Sequence, residues 1–166
     1  MNPMWPGIAL LAFVTFQRLV ELPVARRNTA RLLGAGGHEV APGHFPLLVA
    51  VHVAWLVSLW WLAPLHPISL PFLALFFVIE LCRIWVLRTL GPRWTTRIIV
   101  VPGERLVARG PYKYVDHPNY IVVIAEIAVL PLVFGLWQLA LLFSLLNAAV
   151  LTIRIRAENR ALESLR

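Results

Sequence analysis

Residues 103–120 read GERLVARGPYKYVDHPNY and mix glycine, proline, aromatic, histidine and charged residues in an otherwise apolar chain. Loops held by a rigid scaffold are favoured places for chemistry. Pro118 steers His117 away from helical geometry and suits the first turn of a following helix. The side chains of Asn119 and Tyr120 then fall at a helix N-terminus, where anions bind well. A second patch starts at Asn147 and continues through RIRAENRAL, residues 154–162. Arg154 and Glu158, spaced i, i+4, share a helix face. On spacing alone they read as a solvated ion pair on a helix leaving a membrane, just as a single histidine reads more readily as structural than as catalytic. Glu126, between the patches, has no local partner. It faces either an active cavity or a buried partner from another segment.

The elements that must position these residues are membrane helices. Of the 166 residues, 60% are hydrophobic and only 14% charged, against about 25% charged in soluble domains, and the mean hydropathy is +0.77. The net charge of +7 is spread between apolar runs. This is the pattern of topology signals and anionic lipid contacts, and it argues against a nucleic-acid surface. The lone Cys82 excludes an internal disulfide framework and a cysteine-based zinc cluster, and no metal site is expected. The first apolar run lacks a basic start and a small-residue cleavage site, so it reads as a membrane span and not as a signal peptide.

Spans are expected at about residues 4–22, 44–63 and 70–90, the last stopping at Gly91-Pro92. The apolar tract 121–155, about 35 residues, is too long for one crossing of about 20. Pro131, Gly135 and Trp137-Gln138 divide it into two helices joined by a tight hairpin. The tail from Arg154 is expected to continue the fifth helix. Arg26, Arg27 and Arg31 lie in the connection 23–43, five basic residues in 91–120, and Arg154, Arg156, Arg160 and Arg166 in the tail, whereas the turns near His66 and Gly135 hold no Lys or Arg. Five spans place all three basic segments on one side, which the positive-inside rule makes cytoplasmic, with the N-terminus outside. Trp5, Trp60, Trp61, Trp94 and Trp137 are placed near span ends, as interfacial belts require. The fold class is thus an all-α integral membrane protein of about five transmembrane helices with a C-terminal cytoplasmic cofactor-binding region. Residues 1–166 form one domain, with three spans in 1–90 and the catalytic part in 91–166.

Charges inside spans are costly and therefore informative. Arg18 with Glu21, and Glu80 with Arg83, have the i, i+3 spacing of ion pairs along a helix.

Together, GPYKYVDHPNY, an acidic residue in the next helix, and Asn147, Arg154 and Glu158 as N–x6–R–x3–E resemble the isoprenylcysteine carboxyl methyltransferase superfamily, which carries R-H-P-x-Y and R-x-x-x-E-E motifs. The resemblance covers residues 90–162. LGPRWTTRIIVVPGERLVARGPYKYVDHPNY, followed by EIAVLPL and FSLLNA, is similar to short bacterial membrane methyltransferases encoded beside type III polyketide synthases. The resemblance implies S-adenosylmethionine as methyl donor, with S-adenosylhomocysteine as product, and a lipophilic substrate entering from the bilayer of a bacterial plasma membrane. It implies that the backbone of Glu104, Leu106 and Val107 lines the cofactor. Tyr112, His117, Pro118, Asn119 and Tyr120 bind it too, with Glu158 on its polar edge. Arg154 then faces the methyl-accepting oxygen, and Glu126 is the other candidate catalytic residue. The expected acceptor is the enol or phenol of an alkylpyrone or alkylresorcinol, with an isoprenylcysteine-type carboxylate as the alternative. Asp116 replaces the family's usual Arg, Asn159 its second Glu, and Ile121 and Val122 stand where a small residue often follows the Tyr.

A different class stays open at this point. A non-enzymatic membrane scaffold or small transporter would also use paired intramembrane charges, although the chain shows neither paired halves nor matching discontinuous helices.

Overall fold

The computed structural model describes residues 4–162. Five helices dominate: α1 (Trp5–Gly34), α2 (Phe45–Leu62), α3 (Leu70–Leu90), α4 (Pro118–Val133) and α5 (Trp137–Leu162). Four of them are long and apolar enough to cross a membrane. The fourth in order, α4, has 16 residues. At 1.5 Å per residue it is about 24 Å long, shorter than a hydrocarbon core of about 30 Å. Its position accounts for this. Val122, Ile127, Val129, Leu130 and Val133 are buried, making α4 the inner helix, packed against α3 and α5.

The other helices turn large apolar side chains outward. Trp5, Phe16, Trp61, Leu70, Leu81 and Leu145 are among the most exposed residues. A surface of this kind is stable against lipid tails and not against water. The chain is an integral membrane protein, as its composition predicts. Inside the bundle, Leu11 and Val14 of α1, Trp55 and Leu59 of α2, Phe76 of α3, and Phe143 and Val150 of α5 close over α4.

Three expectations change. The segment from Pro23 is not a loop: α1 runs on through Pro23 to Gly34, carrying Arg26, Arg27 and Arg31 on its last turns. Alanine, leucine and arginine favour the helix. The extension is also anchored. Ala25, Asn28 and Leu32 are buried, and Asn28 donates through Nδ2 to the carbonyl of Trp94 at 2.8 Å and to that of Gly91 at 3.3 Å. Trp94 is buried and so does not join an interfacial belt, whereas Trp5, Trp60, Trp61 and Trp137 are exposed. Finally, a two-stranded antiparallel ribbon joins β1 (His38–Glu39) to β2 (Ile99–Val100), pairing His38 with Val100. Arg97 braces it with an ion pair to Glu39 at 2.7 Å while stacking on the ring of Phe45. Two-residue strands leave no periodicity for a sequence to display.

The hairpin between α4 and α5 lies where Pro131 and Gly135 predict it. Gly135 has φ 69°, and its N–H and that of Leu136 return to the carbonyls of Leu132 and Pro131, a glycine-terminated helix end. The backbone N–H of Ser69 bonds the carbonyl of Val133, so the start of α3 meets the end of α4. At the opposite end lie the ribbon, the end of α3, the start of α4 and the last turns of α5. The basic segments gather there, so far as they lie among the described residues; Glu163 and Arg166 of the tail lie outside them.

Candidate active site

The start of α4 and the last turns of α5 bring the two sequence patches together. Pro118 is the first residue of α4, and His117 precedes it outside helical geometry. One turn of α5 presents Arg154 and Glu158, and both reach Tyr120. The phenol of Tyr120 accepts from Arg154 Nε at 2.8 Å and donates to Glu158 Oε2. One hydroxyl thus fixes a buried cation and a half-buried anion. The i, i+4 pair does not bridge directly: the tyrosine stands between the two charges.

His117 stacks on Tyr120, with ring centroids 5.3 Å apart. Its Nε2 lies 2.9 Å from Asn159 Oδ1. A side-chain amide oxygen only accepts, so Nε2 carries the proton. The departure Asn159 therefore has a structural use: it orients His117. No sequence rule singled it out as a partner, since 42 positions separate the two. Asp116 lies on the exposed surface.

Arg154 is 4% exposed, and its Nη1 is buried without a hydrogen-bond partner among the described residues. An unpaired guanidinium N–H in a buried place costs free energy, so it marks a position prepared for an acceptor atom. An apolar cavity of about 330 Å³ supplies the space. Arg154, Tyr120, Asn119, Trp94 and Thr96 line it, and it extends between α1 and α2 past Leu19, Val49, Val53 and Leu56. A separate open cleft of about 470 Å³ lies between His38, Val40 and Val100 of the ribbon segment and Ala157, Arg160 and Ala161 of α5.

Tyr112 sits in the short 3-10 turn at Gly110–Lys113. Burial and the nearby Glu158 carboxylate push its hydroxyl well above the usual phenol range, so it stays protonated through physiological pH. The turn is seated on α3: a Cβ at Gly110, whose φ is +56°, would come within 2.6 Å of Thr89 Oγ1. The segment expected to lend backbone to the cofactor is held elsewhere. Glu104 pairs with Arg93 at 3.1 Å, and Arg93 Nη1 bonds the carbonyl of Arg105 at 2.7 Å. Leu106 is exposed and Val107 half-buried. These contacts run to the end of α3, and among the described residues no hydrogen bond ties Glu104, Leu106 or Val107 to the His117–Glu158 group.

Glu126 is brought elsewhere too. It is 1% exposed and accepts from Arg18 at 2.6 Å and from Arg83 at 2.9 Å. Both arginines also hold Glu21, at 3.3 and 2.5 Å. Two guanidiniums and two carboxylates therefore close a ring across α1, α3 and α4. Glu126 does not line the cavity, whereas Arg18, Glu21 and Arg83 do. The expected pair Glu80–Arg83 does not form, and Glu80 instead accepts from Gln17 at 2.7 Å.

The family model for isoprenylcysteine carboxyl methyltransferases matches residues 72–164. This chain belongs to that family. The match takes in α3 from its third residue, α4, α5 and every residue of the Tyr120 cluster, the part of the chain whose motifs carry the resemblance. The uncharacterized protein YpbQ of Bacillus subtilis (strain 168) is 37% identical over 167 residues, covering 93% of this chain and 95% of its own. No solved structure matches. Membership supports a membrane methyltransferase, and family members generally use S-adenosylmethionine. The donor set fits a zwitterionic sulfonium compound. Glu158 offers a half-buried anion, the start of α4 offers positive helix-dipole character for a carboxylate, and Tyr112, His117 and Tyr120 offer aromatic surface. Among the described residues no group of three or more His, Cys, Asp or Glu side chains is placed to hold a metal ion.

Proposed function

We propose that this protein is an S-adenosylmethionine-dependent O-methyltransferase of a lipophilic acceptor, and that the acceptor's oxygen meets Arg154 in the cavity lined by α1, α2, α4 and α5. The observation that carries the reading is the buried, unpaired Nη1 of Arg154 at the polar end of an apolar cavity. A guanidinium there donates fixed hydrogen bonds to an oxyanion and favours the ionised form of an enol, phenol or carboxylic acid.

S-adenosylmethionine, when bound, supplies a methyl group already activated on a sulfonium, so the protein has mainly to align and to exclude water. Alignment alone is worth several kcal/mol. His117, Pro118, Asn119 and Tyr120 hold the cofactor at the start of α4, with Tyr112 beside them and Glu158 on its positively charged edge. Tyr120 sets the orientation of both Arg154 and Glu158. His117, committed through Nε2 to Asn159, binds and does not act as general base. Glu104, Leu106 and Val107 remain candidates to line the cofactor through their backbone. Glu126 acts by holding Arg83 and Arg18 in the cavity wall, not by touching substrate. The preferred acceptors are alkylpyrone or alkylresorcinol lipids, whose acidic hydroxyls suit Arg154 and whose tails suit the leucine and valine walls. The substrate enters from the bilayer, and the site faces the cytoplasm of a bacterial plasma membrane, with the N-terminus outside.

Arg154→Ala is expected to abolish turnover while calorimetric binding of S-adenosylmethionine persists. Normal turnover by that variant would remove Arg154 from the acceptor site.

A further inference from the structure

The wall of the apolar cavity carries an unpaired polar atom opposite in character to Arg154 Nη1. His52, on α2, lines the cavity beside Leu48, Val49 and Leu56. Its Nδ1 lies 2.8 Å from the carbonyl oxygen of Leu48, one turn back. A carbonyl oxygen only accepts, so Nδ1 carries the proton and Nε2 of the neutral ring is a bare acceptor. Among the described residues Nε2 has no partner.

In this part of the wall the indole Nε1–H of Trp55 is also a buried donor without a partner among the described residues, whereas Thr15 and the charged side chains are committed. The hydroxyl of Thr15 donates to the carbonyl of Leu11 and accepts from Trp60. Arg18, Glu21 and Arg83 are bound in their ring with Glu126. At the end of the cavity where α4 begins, Arg154 Nη1 only donates, and it too is unpaired. His52 stands seven residues into α2, which starts at Phe45. That is about 10 Å along the axis at 1.5 Å per residue. One cavity therefore presents a donor for an oxyanion on α5 and an acceptor for a hydroxyl on α2. A carboxylate head group uses the first and leaves the second desolvated and unsatisfied. A ring with one ionised oxygen and one hydroxyl uses both.

Resting on the methyltransferase reading above, we infer that His52 Nε2 accepts a hydrogen bond from a second hydroxyl of the substrate. The acceptor class is then a lipophilic dihydroxy ring, methylated on the oxygen at Arg154 and oriented by the one at His52. His52 is a specificity-determining residue, and the methyl-accepting oxygen does not depend on it for deprotonation.

The test compares two probes, a 5-alkylresorcinol and the 3-alkylphenol of the same chain length that lacks one hydroxyl. Each is assayed with S-adenosylmethionine on purified wild-type, His52→Leu and His52→Gln protein in detergent micelles. Two equivalent hydroxyls alone give a ratio of kcat/KM of about two. A site built to pair a hydroxyl discriminates further against the analogue lacking it. The expected wild-type ratio is roughly twentyfold or more. His52→Leu should bring it to about two, and His52→Gln, which restores an acceptor oxygen, should lie between. A wild-type ratio near two overturns the inference without reference to any variant, and so does a wild-type ratio that His52→Leu leaves unchanged. Wild-type protein that binds the cofactor but turns over neither probe also overturns it, while leaving the methyltransferase reading in place. Failure to bind the cofactor at all counts instead against that reading.

Discussion

Tyr120 holds the site together through a single oxygen. Its hydroxyl accepts from Arg154 and donates to Glu158, and its ring supports His117. Tyr120→Phe keeps the ring and removes the oxygen, leaving Arg154 Nε unpaired in a buried place, at a cost of about 1–3 kcal/mol. The expected result is a fall in kcat/KM of roughly 10- to 100-fold, since about 1.4 kcal/mol is tenfold, together with a melting temperature lowered by several degrees. Steady-state kinetics on the purified variant checks this, and wild-type kinetics would mean that the hydroxyl orients nothing. His117, Tyr120, Arg154 and Glu158 were legible in the sequence because their types and order form a motif and each falls near a helix end. The mode of their contact was not. Spacing placed Arg154 beside Glu158, and no spacing rule reports that a tyrosine 34 residues earlier takes the place between them. Asn159 was legible only as a departure from the motif and His52 carried no motif at all, and the role of each is recognised only by the atom that its amide or ring faces.

At the scale of the helix, the ion ring shows the limits of local reasoning. An i, i+3 pair on an exposed helix is worth about 0.2–0.5 kcal/mol, far less than a buried guanidinium gains from two carboxylates that satisfy its donors. Arg83 accordingly ignores Glu80 in its own helix and reaches Glu21 on α1 and Glu126 on α4. The sequence marks these charges as costly and therefore purposeful, but their partners depend on the packing of three helices. Removing one carboxylate from such a set leaves two guanidiniums to share Glu21 alone. Glu126→Gln is expected to destabilise the protein by about 3–5 kcal/mol, read as a lowered melting temperature in detergent, with most turnover retained at a temperature where the variant is folded. A variant as stable as wild type would contradict this structural role, and one that is folded and inactive would return Glu126 to the candidate catalytic residues. The same scale explains α1. Pro23 suggested an end to the helix, yet burial of Ala25, Asn28 and Leu32 and the bonds from Asn28 outweigh one lost backbone hydrogen bond.

Over the whole molecule, the tight hairpin between α4 and α5 matters because it places the start of α4 and the end of α5 at one end, together with the end of α3 and the ribbon. Hydropathy and the positions of arginine made this arrangement legible. The buried course of α4 was less so, because its apolar sequence reads the same whether it faces lipid or protein. Its shortness becomes intelligible once α3 and α5 are seen to shield it. The assembled end carries the Tyr120 cluster, and the apolar cavity opens from it between the α1 and α2 walls. This end is proposed to hold S-adenosylmethionine with Glu158 as its anionic contact. Isothermal calorimetry of purified wild-type and Glu158→Gln protein with S-adenosylmethionine tests it most directly. Near-stoichiometric binding to wild type is expected, with an affinity at least about tenfold lower in the variant from the loss of a charge-assisted contact. Folded wild-type protein that binds no S-adenosylmethionine, or a variant that binds it as tightly as wild type, would contradict it.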